Sequence, residues 1–273
     1  MSRNTNNSET DFDAVVKHSK KKKIRNTVVC LLLLAAIIGA GFYFCFAKLF
    51  FVKNLVISEE NAEFVGAFPY SEDEMLSGLG IEMDMGLYSF DVAEAQKNAK
   101  YNLSYIKDIK ISRRLPSTVV AKTTLEVPSF YVSVADDLFI VSDSLKVLEK
   151  TDSPEKIELY SLMFLECDDI HSCIVGEKLG IPEDTEQLII ELCDNMTEYG
   201  VKNEVSSINV SDKFSIFLNY GAKYIVKIGD SKSLGTKLEF MKRIIEDRTG
   251  DVVGGTIDVS DEKNREAIYK KFS

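Results

Sequence analysis

TVVCLLLLAAIIGAGFYFCFA, the stretch from Thr27 to Ala47, contains no charged residue. At about 1.5 Å per residue, a helix of this length spans the roughly 30 Å hydrocarbon core of a membrane. The aromatic residues near its end are typical of a membrane–water interface. The stretch therefore predicts a single transmembrane helix at residues 27–47.

A basic cluster precedes the predicted span. Residues 1–26 hold seven basic and three acidic residues, whereas the rest of the chain holds 26 basic and 40 acidic residues. Basic residues resist translocation, so we expect residues 1–26 to form a disordered cytoplasmic tail and the remaining chain to lie outside the cell. The topology signal consists of the basic residues closest to the span, Lys20, Lys21, Lys22, Lys23 and Arg25.

The N-terminal region has two alternative interpretations. A cleaved signal peptide has a shorter apolar region and a small-x-small cleavage site, but bulky aromatic residues occupy that place here. A lysine cluster is also compatible with nucleic-acid binding, yet contact with lipid headgroups is favoured directly beside a span. We therefore expect a permanent anchor and no nucleic-acid partner.

Residues 51–125 combine strand and helix patterns. VKNLVI (52–57) predicts a strand, and Ser71 and Glu74 have the spacing of a capping box that starts a helix. The cap pattern repeats at Asp91. Two strand-like segments follow, at 109–113 and 118–125, so the predicted order is β-α-α-β-β.

Residues 126–260 predict a second, larger block with strands and helices. Apolar stripes at helical spacing run from Leu188 to Tyr199 and from Leu234 to Ile245, whereas residues 155–166 are ambiguous between helix and strand. Strand patterns occur at residues 129–135, 137–143, 145–150, 205–211, 213–220, 222–229 and 254–261. A charged tail, residues 261–273, closes the chain. The predicted fold class is α+β throughout.

Several of these segments resemble the FtsQ/DivIB family of bacterial cell-division proteins. The most specific is YIKDIKISRRLPSTV (105–119), which is similar to the family's y-v-k-x-a-x-v-x-r-x-l-P-x-t-l pattern. Ser71 to Asp91 is similar to the family's Ser-x-x-Glu and following glycine pattern, and Lys237-Leu238 with Ile257-Asp258-Val259 is similar to its closing pattern. The junction departs from the family, because LEVPSF (125–130) replaces Glu-Arg-x-Pro-x-Ala.

The resemblance implies an extracytoplasmic POTRA domain at residues 51–125 and a β domain at residues 126–260. It also implies a divisome scaffold that links early and late division proteins and supports septal peptidoglycan synthesis. The implied partners are FtsL-like and FtsB/DivIC-like single-pass coiled-coil proteins and other divisome components. The implied location is the cell membrane, crossed once with the N-terminus cytoplasmic, with enrichment at the division septum.

The resemblance further implies a partner-binding strand, because the family's partner segment adds a strand to the last strand of the β domain. An exposed edge strand carries unpaired N–H and C=O groups that another extended chain satisfies. The corresponding residues here are Thr256, Ile257, Asp258, Val259, Ser260 and Asp261. Two alternatives stay open: this strand only completes the sheet, or residues 262–273 cover it.

No enzymatic signature is complete. Ser104 and Lys107 have S-x-x-K spacing, but the accompanying S-D-N and K-T-G elements are missing. His171 and the acidic pairs are predicted to be solvated. We therefore expect a non-enzyme with no catalytic residue, no cofactor and no small-molecule substrate.

The cysteine pattern predicts no metal site, since no C-x-x-C pair is present. Cys167 and Cys173 are compatible either with one bridge or with free thiols.

A POTRA-bearing protein of envelope assembly or secretion is the alternative function. That class usually precedes a membrane barrel built from many strands of about 9–11 residues. The helical stripes after residue 126 argue against it.

Overall fold

The computed structural model describes residues 25–43, 49–59, 67–221, 223–247, 254–261 and 268–272. Within these ranges, α1 (Arg25–Tyr43) is the one helix long and apolar enough to cross a membrane. It coincides with the predicted span up to Tyr43, and residues 44–47 lie outside the described residues. Lys20 to Lys23 of the predicted topology signal also lie outside the described residues, whereas Arg25 begins α1.

The first block is a three-stranded sheet with two helices. Its elements are β1 (Asn54–Glu59), α2 (Glu72–Leu79), α3 (Val92–Asn102), β2 (Ile106–Arg114) and β3 (Thr118–Leu125). The strand order is β1-β3-β2, with β1 parallel to β3 and β2 antiparallel to it. The elements follow in the order read from the sequence.

Both helices begin directly after the predicted capping residues, α2 after Ser71 and α3 after Asp91. The backbone N–H of Glu74 donates to the Ser71 hydroxyl at 3.3 Å, and the Ser71 N–H donates to the Glu74 carboxylate at 2.8 Å. The Glu94 N–H donates to the Asp91 carboxylate at 2.8 Å. Each bond satisfies a backbone group that the helix itself leaves unpaired.

The second block is a nine-stranded mixed sheet with helices. Its strands run in the order β12-β11-β10-β9-β8-β7-β4-β5-β6. Its elements are β4 (Pro128–Val134), β5 (Asp137–Ser142), β6 (Val147–Thr151), α4 (Pro154–Leu159), β7 (Met163–Glu166), α5 (Glu183–Glu198), β8 (Val205–Asn209), β9 (Ile216–Tyr220), β10 (Tyr224–Gly229), α6 (Leu234–Asp247), β11 (Gly255–Asp258) and β12 (Ile268–Lys271). The ambiguous segment 155–166 covers all of α4 except Pro154 and the whole of β7.

The β5–β6 end of this sheet separates two cores. Val141 and Val147 face the core under α5 and α6, whereas their neighbours Ile140 and Leu148 join the core of the first block. Successive side chains of a strand point to opposite faces, so a strand buried on both faces reads as a continuous apolar run. Burial on both faces of β5 therefore explains its apolar run LFIV (138–141).

The structure is thus an α+β protein in which an apolar N-terminal helix is followed by a β-rich body, as predicted. The boundaries of the domains and the POTRA designation of residues 51–125 remain predictions.

Candidate partner-binding edge at the C-terminal end of the sheet

Three strands build the C-terminal end of the large sheet. β10 and β11 are parallel and joined through α6, which places Lys227 opposite Asp258. β12 pairs with β11 in the antiparallel direction, so Thr256 lies opposite Lys270 and Asp258 opposite Ile268. The β11 strand is therefore paired on both sides.

This pairing corrects the expected edge position of Thr256–Asp261. The strand ends at Asp258, and Val259, Ser260 and Asp261 follow it. The outermost strand is β12, which comes from the predicted charged tail. The result agrees with the alternative in which residues beyond 261 cover the strand. An open edge strand pairs readily with a nearby extended segment, and here that segment is β12. Whether these residues bind a partner stays a prediction.

The backbone of β11 alternates between its two neighbours. The N–H of Gly255 donates to the Lys223 oxygen at 3.1 Å, and the N–H of Val259 donates to the Lys227 oxygen at 3.0 Å, so both face β10. Successive N–H groups of a strand point in opposite directions, which turns those of Thr256 and Asp258 toward β12. A partner strand in the place of β12 would meet these two groups.

Asp258 fastens the end of β11. Its carboxylate lies 3.3 Å from the ammonium group of Lys227 and accepts hydrogen bonds from the Ser260 N–H at 3.0 Å and hydroxyl at 2.6 Å. Burial alone would raise the pKa of Asp258, but the hydrogen bonds from Ser260 and Lys227 outweigh it and hold the pKa below its ordinary value. The carboxylate is therefore ionised at neutral pH.

A second ion pair fixes the turn between β10 and α6. The Lys237 side chain is buried, and its ammonium group donates to the main-chain oxygen of Asp230 at 2.8 Å and to its carboxylate at 2.7 Å. That hydrogen bond lowers the pKa of Asp230. Gly229 precedes the turn with φ of +77°, and a Cβ there would lie 2.7 Å from the Cβ of Ser260. Only glycine fits this close approach without a shift.

The approach of β12 also depends on a glycine. A Cβ on Gly255 would lie 2.4 Å from the Lys270 oxygen and 2.6 Å from the Tyr269 ring. The glycine pair at 254–255 is the signal that this place in the chain meets another backbone closely.

The opposite end of the sheet is protected differently. The N–H of Val147 donates to the Glu177 oxygen at 2.8 Å, and the N–H of Gly176 donates to the Val147 oxygen at 2.8 Å. A loop thus covers the edge of β6. In the part of the chain that the structure describes, no strand pairs with the outer side of β12.

The other residues singled out from the sequence lie apart. The Ser104 hydroxyl lies 3.4 Å from the Tyr70 hydroxyl, while the Lys107 ammonium lies 3.8 Å from the Asp143 carboxylate. His171 is exposed. Over the described ranges, no group of three or more His, Cys, Asp or Glu residues is arranged to hold a metal ion.

The cysteines of the second block are free thiols in the structure, namely Cys167, Cys173 and Cys193. Burial raises the pKa of all three, and that of Cys193 rises to about 12. Thiols shifted in this direction are poor nucleophiles at neutral pH.

Two curated relatives match the chain over most of its length. Cell division protein DivIB of Clostridium botulinum is 25% identical over 264 residues, which cover 92% of this chain and 94% of the relative. Cell division protein DivIB of Clostridium tetani is 22% identical over 195 residues, which cover 71% of this chain and 69% of the relative. No protein-family model matches the chain. These two relatives support membership of the FtsQ/DivIB family.

The FtsQ/DivIB relatives support a role in cell division, and together with α1 they indicate a membrane-anchored division protein. Two residues that resemble the closing pattern of the FtsQ/DivIB family each form an ion pair at this end of the sheet. Lys237 fixes the start of α6, and Asp258 ties β11 to β10. Sequence reasoning missed the pairing partners Asp230 and Lys227. Lys227 meets Asp258 across neighbouring strands, and Asp230 meets Lys237 through the turn that leads into α6. IYKK (268–271) does not alternate, since Ile268 and Tyr269 are followed by two lysines, so this segment carries no clear sequence signal for β12.

Proposed function

We propose that this chain is a non-enzymatic scaffold of the bacterial divisome, anchored by α1 with its N-terminus in the cytoplasm. Residues 51–125 serve as the POTRA domain and residues 126–260 as the β domain, both outside the cell. The scaffold links early and late division proteins and supports septal peptidoglycan synthesis by binding FtsL-like and FtsB/DivIC-like proteins. The similarity to two DivIB proteins over most of the chain carries this proposal.

The proposed binding site is the outer side of β11. β12 pairs with it through only four residues, and Ile268, Lys270 and Lys271 are exposed. Of the four residues only Tyr269 is partly buried against the core, so opening this pairing costs less free energy than opening a fully buried strand. The ladder with β12 stops at Asp258, and a longer partner segment would extend it along Val259 and Ser260. A partner strand therefore replaces β12 in this mechanism.

The backbone directions give a matched pair of variants. Thr256→Pro removes an N–H that faces the partner and leaves the hydrogen bonds to β10 in place, whereas Thr256→Val keeps the N–H and the branched shape. Loss of one such bond is worth about 1–3 kcal/mol, or roughly 10–100-fold in affinity. Co-purification of the full chain with FtsB/DivIC-like and FtsL-like proteins measures the effect. Equal binding by the two variants would remove the strand-addition mechanism.

The cellular role has its own test. A fluorescent fusion of the full chain should concentrate at the septum of dividing cells. Protease added to spheroplasts should digest the body and spare the first 20 or so residues. A uniform membrane signal, or a protected body, would contradict the proposed role or topology respectively.

A further inference from the structure

The chain that follows α1 enters the first sheet beside a loop that it holds by backbone hydrogen bonds. The N–H of Leu87 donates to the Phe50 oxygen and the N–H of Val52 donates to the Met85 oxygen, both at 2.8 Å. Phe51 and Gly86 form a β bridge between these bonds. Residues 85–87 are thereby fixed against residues 50–52.

The turn between β2 and β3 lies at the same end of the first block. The N–H of Lys53 donates to the Ser117 oxygen at 2.9 Å, and Arg114 lies opposite Thr118 in the β2–β3 register. The turn at residues 115–117 therefore lies beside the start of β1, where the chain arrives from α1.

Arg113 stiffens this end of the block. Its Nε donates to the Leu87 oxygen at 2.7 Å, and its guanidinium lies 5.5 Å from the centre of the Tyr88 ring and 4.6 Å from that of Phe90. Both the loop and the end of β2 are thus held in one arrangement, so the side chains on them form a defined surface.

That surface is apolar although it faces solvent. Four large side chains form what we call the juxtamembrane surface: Leu49 is 49% exposed, Met83 46%, Tyr88 53% and Leu115 58%. Exposed apolar side chains that are grouped at one end of a folded domain usually mark a contact with a partner or a membrane.

The covalent connection restricts the occupant. Six residue steps separate Tyr43, where the described part of α1 ends, from Leu49. Fully extended, they reach at most about 22 Å. We infer that the juxtamembrane surface rests on the outer leaflet of the membrane that α1 crosses, with phospholipid as its partner. This inference depends on the proposed anchor.

The charged residues beside the juxtamembrane surface are compatible with contact to lipid, but they do not make this end of the first block strongly cationic. Lys53 and Arg114 are exposed and can reach lipid phosphates, but Glu82 and Asp84 are exposed on the same loop. The apolar side chains therefore carry the attraction, and we expect contact with zwitterionic as well as anionic lipid.

The chain contains no tryptophan, so single-tryptophan variants report on one position each. Leu115→Trp and Met83→Trp probe the surface, and Leu33→Trp in α1 probes the anchor. Tyr101→Trp is the matched control, because Tyr101 is 80% exposed but lies at the end of α3, separated from the surface by β2, roughly 25 Å long. The full-length variants are reconstituted into phosphatidylcholine vesicles with and without brominated lipid.

Brominated lipid should quench the fluorescence at positions 115 and 83 at least about twofold more than at position 101. The insertion direction does not matter, since the surface meets whichever leaflet lies on the side of the body. Strong quenching at position 33 with equal values at 115, 83 and 101 would overturn this inference and leave the anchor intact. Absence of quenching at position 33 would overturn the anchor and the surface contact together.

Discussion

The ammonium group of Lys237 lies 2.7 Å from the carboxylate of Asp230, and the lysine side chain is buried while the carboxylate is about one-third exposed. The two partners therefore differ in what their loss leaves behind. Without the Asp230 carboxylate the buried cation keeps only the main-chain oxygen of residue 230, which costs about 3 kcal/mol. Without Lys237 the carboxylate regains water.

We predict that Asp230→Ala destabilises the protein more than Lys237→Met does. Thermal unfolding of the full chain in detergent should show a loss of roughly 10 °C for Asp230→Ala. Lys232→Met is the control, since Lys232 lies 3.8 Å from the same carboxylate but is 81% exposed, and its effect should stay within about 0.5 kcal/mol. The reverse order of the two pair variants would contradict this account of the turn.

The same pair predicts a pH dependence. The hydrogen bond from Lys237 lowers the pKa of Asp230 below its ordinary value of 3.8. The stabilisation is therefore complete above that value and is lost as pH falls through the lower pKa of the folded state. The difference in melting temperature between the wild type and Asp230→Asn should be constant down to about pH 4 and shrink at lower pH. A difference that stays constant throughout acid conditions would argue against the depressed pKa.

Two isoleucines on one face of the large sheet test the shared core. Ile140 is fully buried against the first block, whereas Ile225 on the same face is 39% exposed. Ile140→Ala should cost about 2–5 kcal/mol because it leaves a cavity between the two blocks. Ile225→Ala should cost less than about 1 kcal/mol. Equal costs by thermal unfolding would mean that the first block does not cover this end of the sheet.

The cysteine of α5 should resist alkylation. With a pKa raised to about 12 by burial, Cys193 is almost entirely protonated at pH 8. Roughly one molecule in ten thousand then carries the thiolate, which is the reactive form. Mass spectrometry after iodoacetamide treatment should show Cys193 unmodified in the folded chain and modified after denaturation. Rapid labelling of the native protein would show that α5 opens readily at this position.

Local signals made the helix starts predictable. Ser71 and Glu74 belong to one turn, and the bond they form involves no distant residue. The apolar run of α1 and the alternation in β9 and β10 are equally local, because a strand or span displays its own period.

Pairings that depend on distant segments were not predictable. Thr256 to Asp258 form a strand as expected, but whether it lies at an edge depends on residues 268–271, which the sequence presented as a charged tail. The burial of Lys237 likewise depends on Asp230, placed beneath it by a turn that contains Ser233 at φ of +51°. A lysine on a helical stripe is ordinarily solvent-exposed, so its pattern alone predicts the opposite.

Photo-crosslinking in dividing cells tests most directly whether β11 binds a division partner. A photoreactive residue at position 256 should yield a crosslinked product that contains the FtsB/DivIC-like protein. The same residue in place of Phe214, which is 71% exposed and lies just before β9, should yield none. Equal crosslinking at both positions, or none at position 256 in cells that divide normally, would contradict the account.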